Sequence, residues 1–158
     1  IKTIKRVKTL LFKKIFIVIP FLLFSFELFS EVHTVKMLNQ GSTGVMVFEP
    51  AVLKIKIGDT VTFVATDAAH NSASIPGMLP PNANAWNGQL SRDISVTFDI
   101  PGVYGYQCTP HAMMAMVGII QVGDDSSNLQ SVKNSASQFK STFVMNQTRL
   151  DDYLSQLN

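Results

Sequence analysis

The sequence is poor in the residues that build covalent cross-links and multi-metal sites. Its 158 residues include one cysteine, Cys108, and three histidines, His33, His70 and His111. A single cysteine excludes an intramolecular disulfide, so Cys108 is either a free thiol or a metal ligand. Three histidines are too few for the additional histidine-bound copper ions of a multicopper oxidase or a nitrite reductase domain.

Clustered positive charge is missing from most of the chain, although the whole sequence has a formal net charge of +2. Six of the 13 basic residues and one of the 11 acidic residues lie within residues 1–30, which leaves seven basic and ten acidic residues in the remainder. Beyond Glu31 the chain therefore carries a net charge of −3 and has no lysine or arginine cluster. This charge pattern excludes nucleic acid as a partner.

Residues 1–30 have the composition of a secretion signal. A basic segment precedes an apolar run, Ile15 to Phe29, that is at the short end for a membrane span and contains Glu27. We predict a signal peptide over residues 1–30 that is cleaved near Ser30, so that the mature protein enters the periplasm without stable membrane association. Because Leu28 is larger than the residue usually found three positions before such a cut, a retained anchor is the alternative.

The rest of the chain shows the alternation of apolar and polar residues that is typical of β-strands. The alternation is clearest from Val52 to Phe63, where Gly58-Asp59 predicts a hairpin turn. Further strands are predicted at Val32–Leu38, Val45–Phe48, Ile94–Phe98, Val103–Gln107 and Val117–Val122. Short strands at this spacing predict an all-β fold, a two-sheet antiparallel Greek-key sandwich over residues 31–124.

Two segments depart from this alternation. Residues 73–91 are rich in proline and asparagine and are predicted as a surface excursion, with Trp86 as a partly buried lid over the sandwich. Apolar residues recur at helical spacing from Leu129 to Phe139 and again from Leu150 to Leu157. Residues 125–158 are therefore predicted as two helices that pack on the sandwich and extend the same domain.

The segment from Tyr104 to Val122 places Cys108, His111 and Met116 in one loop between two predicted strands. A soft thiolate, imidazoles and a weak thioether suit copper that cycles between two oxidation states. Two histidines, a cysteine and a distant axial methionine form the blue-copper arrangement. The loop supplies only one of the two histidines.

The second histidine is predicted to be His70, which follows an apolar strand. His33 lies in the first predicted strand and is interpreted as a surface residue. A ligand 38 positions before Cys108 comes from a separate strand, so a metal ion would join two parts of the sandwich.

The axial position has two candidates, Met116 and Met114. Met116 directly precedes the apolar strand that begins at Val117, which would anchor it, and it is the predicted ligand. Met114 would be the ligand in a shorter loop, and that alternative stays open.

Several segments together resemble the pseudoazurin family of type 1 blue-copper cupredoxins. They are Val45 to Pro50, the pair His70-Asn71, and Cys108-Thr109-Pro110-His111 through Met116 to Asp124. The similarity extends from about Val35 through both predicted helices.

The resemblance implies a periplasmic electron carrier without enzymatic activity. One copper ion would be bound by His70, Cys108, His111 and Met116. The backbone amide of Asn71 would donate a hydrogen bond to the Cys108 sulfur, and electrons would pass through the exposed edge of His111. The implied partners of this monomer are periplasmic redox proteins such as copper nitrite reductase or a c-type cytochrome.

The chain departs from the family at the expected docking surface. Gln40, Ala68 and Gln107 stand where lysines that steer an acidic partner are expected, and Ala112 replaces a common aromatic residue. Association with a partner is therefore expected to depend less on ionic strength than is usual for the family.

An apolar surface is nevertheless expected around His111. Pro110, Ala112, Met113 and Pro80 are predicted to form it, and such a surface suits brief docking with a redox partner.

Two other functions are compatible with some of these residues. Nucleophilic catalysis by Cys108 is disfavoured because Cys108 and His111 share one tight loop and no oxyanion hole is indicated. A periplasmic copper-binding or copper-delivery protein is the alternative function, and it would predict a labile metal site.

Overall fold

The computed structural model describes residues 30–157, which form eight strands and two α-helices. The strands are β1 (Val32–Gly41), β2 (Gly44–Glu49), β3 (Val52–Ile55), β4 (Thr60–Val64), β5 (Ala73–Ser74), β6 (Ile94–Thr97), β7 (Gly102–Gln107) and β8 (Val117–Val122). The helices are α1 (Leu129–Phe139) and α2 (Arg149–Leu154). The predicted signal peptide lies outside the described residues except for Ser30. Between residues 30 and 157, no helix is long and apolar enough to cross a bilayer.

The strands form two four-stranded sheets, in the orders β2-β1-β4-β6 and β3-β8-β7-β5. The predicted two-sheet sandwich with C-terminal helices is confirmed. Each sheet is mixed, however, because β1 pairs with β4 and β3 pairs with β8 in parallel. The remaining strand pairs are antiparallel.

The predicted hairpin at Gly58-Asp59 is wrong, because β3 and β4 belong to different sheets. The turn itself is present: Gly58 has a φ of 90°, and the Asp59 carboxylate accepts a hydrogen bond from the Lys56 amide. Beyond the turn, β4 pairs with β1 and β6 rather than with β3. Alternation shows which face of a strand is buried, but it does not name the neighbouring strand.

Two hydrophobic cores lie on opposite faces of β8. Ile120 and Val122 face the other sheet, where they join an aromatic cluster that includes Phe63 and the buried Trp86. Val117 and Ile119 face the C-terminal segment, whose contributing side chains are Val132 and Ala136 in α1, Leu150, Tyr153 and Leu154 in α2, and Leu157 beyond α2. Burial on both faces explains why the C-terminal helices belong to the same domain as the sandwich.

One close approach within the sandwich requires a glycine. Tyr106 on β7 is fully buried and lies over Gly118 on β8, where a Cβ atom would stand 2.2 Å from the ring carbon Cζ. Any side chain at Gly118 would displace the Tyr106 ring from the core beneath Cys108.

A buried carboxylate ties the first strand to the turn between β3 and β4. Asp59 is 1 % exposed and accepts hydrogen bonds from the backbone amides of Glu31 and Lys56, at 2.8 Å and 2.9 Å. His33 Nε2 lies 2.8 Å from its second oxygen. Burial by itself would raise the pKa of Asp59, but these hydrogen bonds outweigh burial and lower the pKa to about 2.

We expect the Asp59→Asn substitution to lower the free energy of unfolding by roughly 2 kcal/mol at neutral pH, because an ionised acceptor of three hydrogen bonds is lost. In the native protein, this stabilisation is present above the ordinary aspartate pKa and is lost as the pH falls from about 4 to about 2. Urea unfolding of the metal-free protein, at neutral pH and as the pH falls from about 4 to about 2, measures both effects. The exposed Asp99→Asn variant is the control, and an Asp59→Asn variant that is as stable and as acid-sensitive as the control would contradict the prediction.

Candidate metal centre

Three of the predicted ligand side chains converge at one end of the sandwich. The Nδ1 atoms of His70 and His111 are 3.1 Å apart, and the Cys108 sulfur lies 3.6 Å and 3.4 Å from them. Donor atoms that each lie about 2.0–2.3 Å from one metal ion are separated by roughly 3.1–3.8 Å at bond angles of about 100–110°. This triangle therefore fits a single metal ion with two nitrogen ligands and one sulfur ligand.

His70 is held in the orientation that metal binding requires. It is fully buried, and its Nε2 atom donates a hydrogen bond to Asn39 Oδ1 at 2.9 Å, which leaves the lone pair of Nδ1 facing Cys108. Burial lowers the pKa of His70, and the nearby His111 lowers it further, so both effects favour the neutral imidazole. A neutral imidazole is the form that binds a metal ion.

Asn39 is itself held by Asp67, whose carboxylate accepts a hydrogen bond from the backbone N–H of Asn39 at 2.7 Å. The sequence pattern did not indicate this supporting role, because β1 and the loop after β4 are brought together only by parallel pairing of the two strands.

Cys108 directly follows β7 as a fully buried thiol, and its backbone amide donates to the Met116 carbonyl at 2.9 Å. Burial raises the pKa of Cys108, against the effect of backbone hydrogen bonds from Asn71 and His111, which lower it. This effect of the Asn71 backbone amide agrees with the hydrogen bond that the resemblance implies from Asn71 to the Cys108 sulfur, which stays a prediction. Those two amides favour the thiolate, the form that binds a metal cation.

The side chain of Asn71 has a further role that the sequence did not indicate. Its Oδ1 atom accepts a hydrogen bond from the Thr109 amide at 2.8 Å, and its Nδ2 atom donates to Thr109 Oγ1 and to the Gly88 carbonyl. Asn71 therefore joins the segment that carries His70 to the segment that carries Cys108.

The loop after Cys108 is a 3₁₀ turn over Thr109–Met114 with Pro110 at its start. Proline suits this position because its φ is fixed and it has no N–H group to leave unpaired. The turn is kinked at His111 and ends at Ala115, which has a φ of 58°. The amide of Met116 then returns to the carbonyl of His111.

The two candidate axial residues differ in burial. The Met116 side chain is fully buried and packs in the same core cluster as Cys108. Met114 is partly exposed. The third histidine of the sequence, His33, which was not predicted as a ligand, lies outside this centre and contacts Asp59.

The surface beside His111 is smaller than expected. Pro110 and Met113 are exposed, and His111 and Ala112 are half-buried. Pro80 does not belong to this surface, because it is buried against Gly102 at the opposite end of β7, roughly 20 Å from Cys108. Its place in the proline-rich excursion did not reveal which end of the sandwich the excursion covers.

Comparison with known proteins agrees with this geometry. Residues 35–123 match the copper binding proteins of the plastocyanin/azurin family. Pseudoazurin from Paracoccus pantotrophus is 39% identical over 130 residues, which cover 82% of this chain and 86% of that protein. Pseudoazurin from Methylorubrum extorquens is 43% identical over 123 residues, which cover 78% and 80%.

A solved structure extends the similarity to three dimensions. The crystal structure of pseudoazurin from Methylobacterium extorquens AM1 superposes with a TM-score of 0.71 at 39% identity, covering 80% of this chain and 99% of that one. Both the sandwich and the C-terminal helices therefore have counterparts in that protein. The chain belongs to the plastocyanin/azurin family of copper-binding proteins, and within it to the pseudoazurins.

Proposed function

We propose that this protein is a type 1 blue-copper electron carrier of the periplasm that holds one copper ion with His70, Cys108, His111 and Met116. The observation that supports this proposal most directly is the buried triangle of one sulfur and two imidazole nitrogens. A copper ion bound there would supply a one-electron couple between Cu(I) and Cu(II). The side chains would hold this ion in place, and none of them would act as a catalytic residue.

The residues around the centre hold the ligand side chains rigidly. Asn39 orients His70, and the Asn71 side chain joins the His70 and Cys108 segments, so the ligand positions exist before a metal ion binds. An electron carrier benefits from such support because ligands that move little between two oxidation states impose a small reorganisation cost.

Electrons would pass through His111. Among the three clustered side chains it alone is partly exposed, and it is flanked by Pro110, Ala112 and the 56 % exposed Met113. A small apolar surface favours short-lived complexes, which suits a carrier that must leave its partner after each transfer.

The cellular setting follows from the predicted signal over residues 1–30, which precedes the sandwich of residues 31–124 and the helical extension of residues 125–158. Export would place a monomeric carrier among periplasmic redox proteins, such as a copper nitrite reductase or a c-type cytochrome. Copper delivery is the competing function. A buried site whose ligands are fixed by hydrogen bonds favours retention of the metal over its release.

Binding of one equivalent of Cu(II) to the purified protein is expected to produce an intense thiolate-to-copper absorption band and a narrow copper hyperfine splitting. The Cys108→Ser substitution should abolish the band, because the charge-transfer donor is lost. The His33→Gln variant is the matched control and should keep the native spectrum, since His33 lies outside the centre. A pale spectrum of the unsubstituted protein would mean that Cys108 does not bind the metal.

The axial ligand is tested by the pair Met116→Leu and Met114→Leu. Removing the thioether of Met116 should raise the reduction potential, because an axial donor stabilises Cu(II) more than Cu(I). Met114→Leu should leave the potential and the hyperfine splitting unchanged. Voltammetry and paramagnetic resonance of both variants measure this difference, and the reverse result would assign the axial position to Met114.

Electron transfer to an acidic redox partner should depend weakly on ionic strength. Gln40 and Ala68 are exposed and neutral, and they adjoin Asn39 and Asp67, whose backbone amide and carboxylate form a hydrogen bond near His70. The double substitution Gln40→Lys and Ala68→Lys should make the second-order rate fall steeply with added salt. Gln130→Lys with Asn134→Lys on α1 is the control. A steep salt dependence of the unsubstituted protein, measured by stopped-flow, would refute the prediction.

A further inference from the structure

The C-terminal segment contacts the ligand loop at three successive carbonyl groups. The Val144 amide donates to the Met113 carbonyl at 2.8 Å, and Asn146 Nδ2 donates to the Met114 carbonyl at 3.3 Å. Arg149 Nη1 donates to the Ala115 carbonyl at 3.1 Å. The next residue is Met116. The carbonyls of all three residues before the proposed axial ligand therefore accept hydrogen bonds from residues 144–149.

Arg149 is the central residue of this arrangement. It is 9 % exposed, and between residues 30 and 157 no carboxylate forms an ion pair with it. Its guanidinium is instead satisfied by backbone carbonyls, those of Val45 and Met46 in β2 as well as that of Ala115. A buried cation that depends on carbonyl acceptors is stable only where those carbonyls are fixed.

Two of these carbonyls belong to residues in an unusual conformation. Met46 has a φ of 50° and Ala115 has a φ of 58°, both in the left-handed region that non-glycine residues rarely adopt. Hydrogen bonds from Arg149 to both carbonyls offset the cost of those conformations. Ala115 in this conformation directly precedes Met116, whose side chain is buried in the same core cluster as Cys108.

We propose that the segment Val144–Arg149 is a clamp that sets the conformation of the ligand loop, with Arg149 as the positioning residue for Met116. The proposal rests on the proposed function only for the role of Met116, because the clamp itself is a property of the polypeptide. It gives the C-terminal extension a function beyond covering the apolar face of β8.

The clamp is tested with Arg149→Gln, Arg149→Lys and Asn146→Gly in protein purified after expression of the whole chain. Glycine is chosen at Asn146 because that residue has a φ of 52°, which glycine adopts without strain. Lys140→Met is the matched control, since it removes a cation that lies in the C-terminal extension outside the clamp and pairs with Asp151.

The first readout needs no metal. In copper-free protein the amides of Ala115 and Met116 donate to the carbonyls of Ala112 and His111. We expect Arg149→Gln to speed hydrogen exchange at these two amides by roughly ten- to a hundredfold, the loss that corresponds to a hydrogen bond from a charged group. Arg149→Lys and Asn146→Gly should give smaller increases, and Lys140→Met should give none.

The second readout is the spectrum after addition of one equivalent of Cu(II). A displaced Met116 should change the copper hyperfine splitting in Arg149→Gln, and Arg149→Lys should restore it in part. If Arg149→Gln does not fold, the two milder variants decide the outcome. Exchange and spectra that match the control in every folded variant would overturn the clamp. Absence of the blue spectrum in the unsubstituted protein would instead overturn the proposed function. The hydrogen-exchange rates of the copper-free variants would still show whether Arg149 fixes the ligand loop.

Discussion

Two imidazole nitrogens and one sulfur atom lie within 3.6 Å of one another in a site where His70 and Cys108 are inaccessible to water. Gathering these donors without a metal ion is unfavourable, because each donor atom loses hydration. Contacts elsewhere in the fold must hold the donors in place. The hydrogen bonds of Asn39 and Asn71 meet that requirement directly, and the packed sandwich behind Tyr106 meets it indirectly.

The proposed metal ligands lie at one end of β7 and β8, and a hydrogen-bonded contact with the start of α1 lies at the other end. At one end the strands carry Cys108 and Met116, joined by the Cys108 amide and the Met116 carbonyl. At the other end Asn128 donates to the Val103 carbonyl and accepts from its amide, which fixes the start of α1. The helices then return along the outer face of β8 until Arg149 reaches the ligand loop. The extension therefore spans the sheet from its structural end to its metal-binding end.

Prediction from the sequence was most successful where a short segment carries its own chemical pattern. The run from Cys108 to Met116 identified three of the proposed ligands, and strand alternation located β1, β2, β7 and β8 to within a few residues. Prediction failed where partners distant in sequence decide the outcome. The Gly58-Asp59 turn joins two sheets instead of two paired strands, and Pro80 covers the end of the sandwich opposite to His111.

The sequence by itself determined the chemical character of the centre, because the identity of sulfur and imidazole donors depends on residue type alone. It also indicated that the strand beginning at Val117 is apolar and that two C-terminal helices pack on the sandwich. Only the tertiary structure decided which residues support the ligands. Asn39, Asp67 and Arg149 are ordinary polar residues in the sequence, and they gain their roles from the parallel pairing of β1 with β4 and the packing of α2 on the sheet. Hydrogen bonds act over about 3 Å, so they are formed by neighbours in space that spacing along the chain does not reveal.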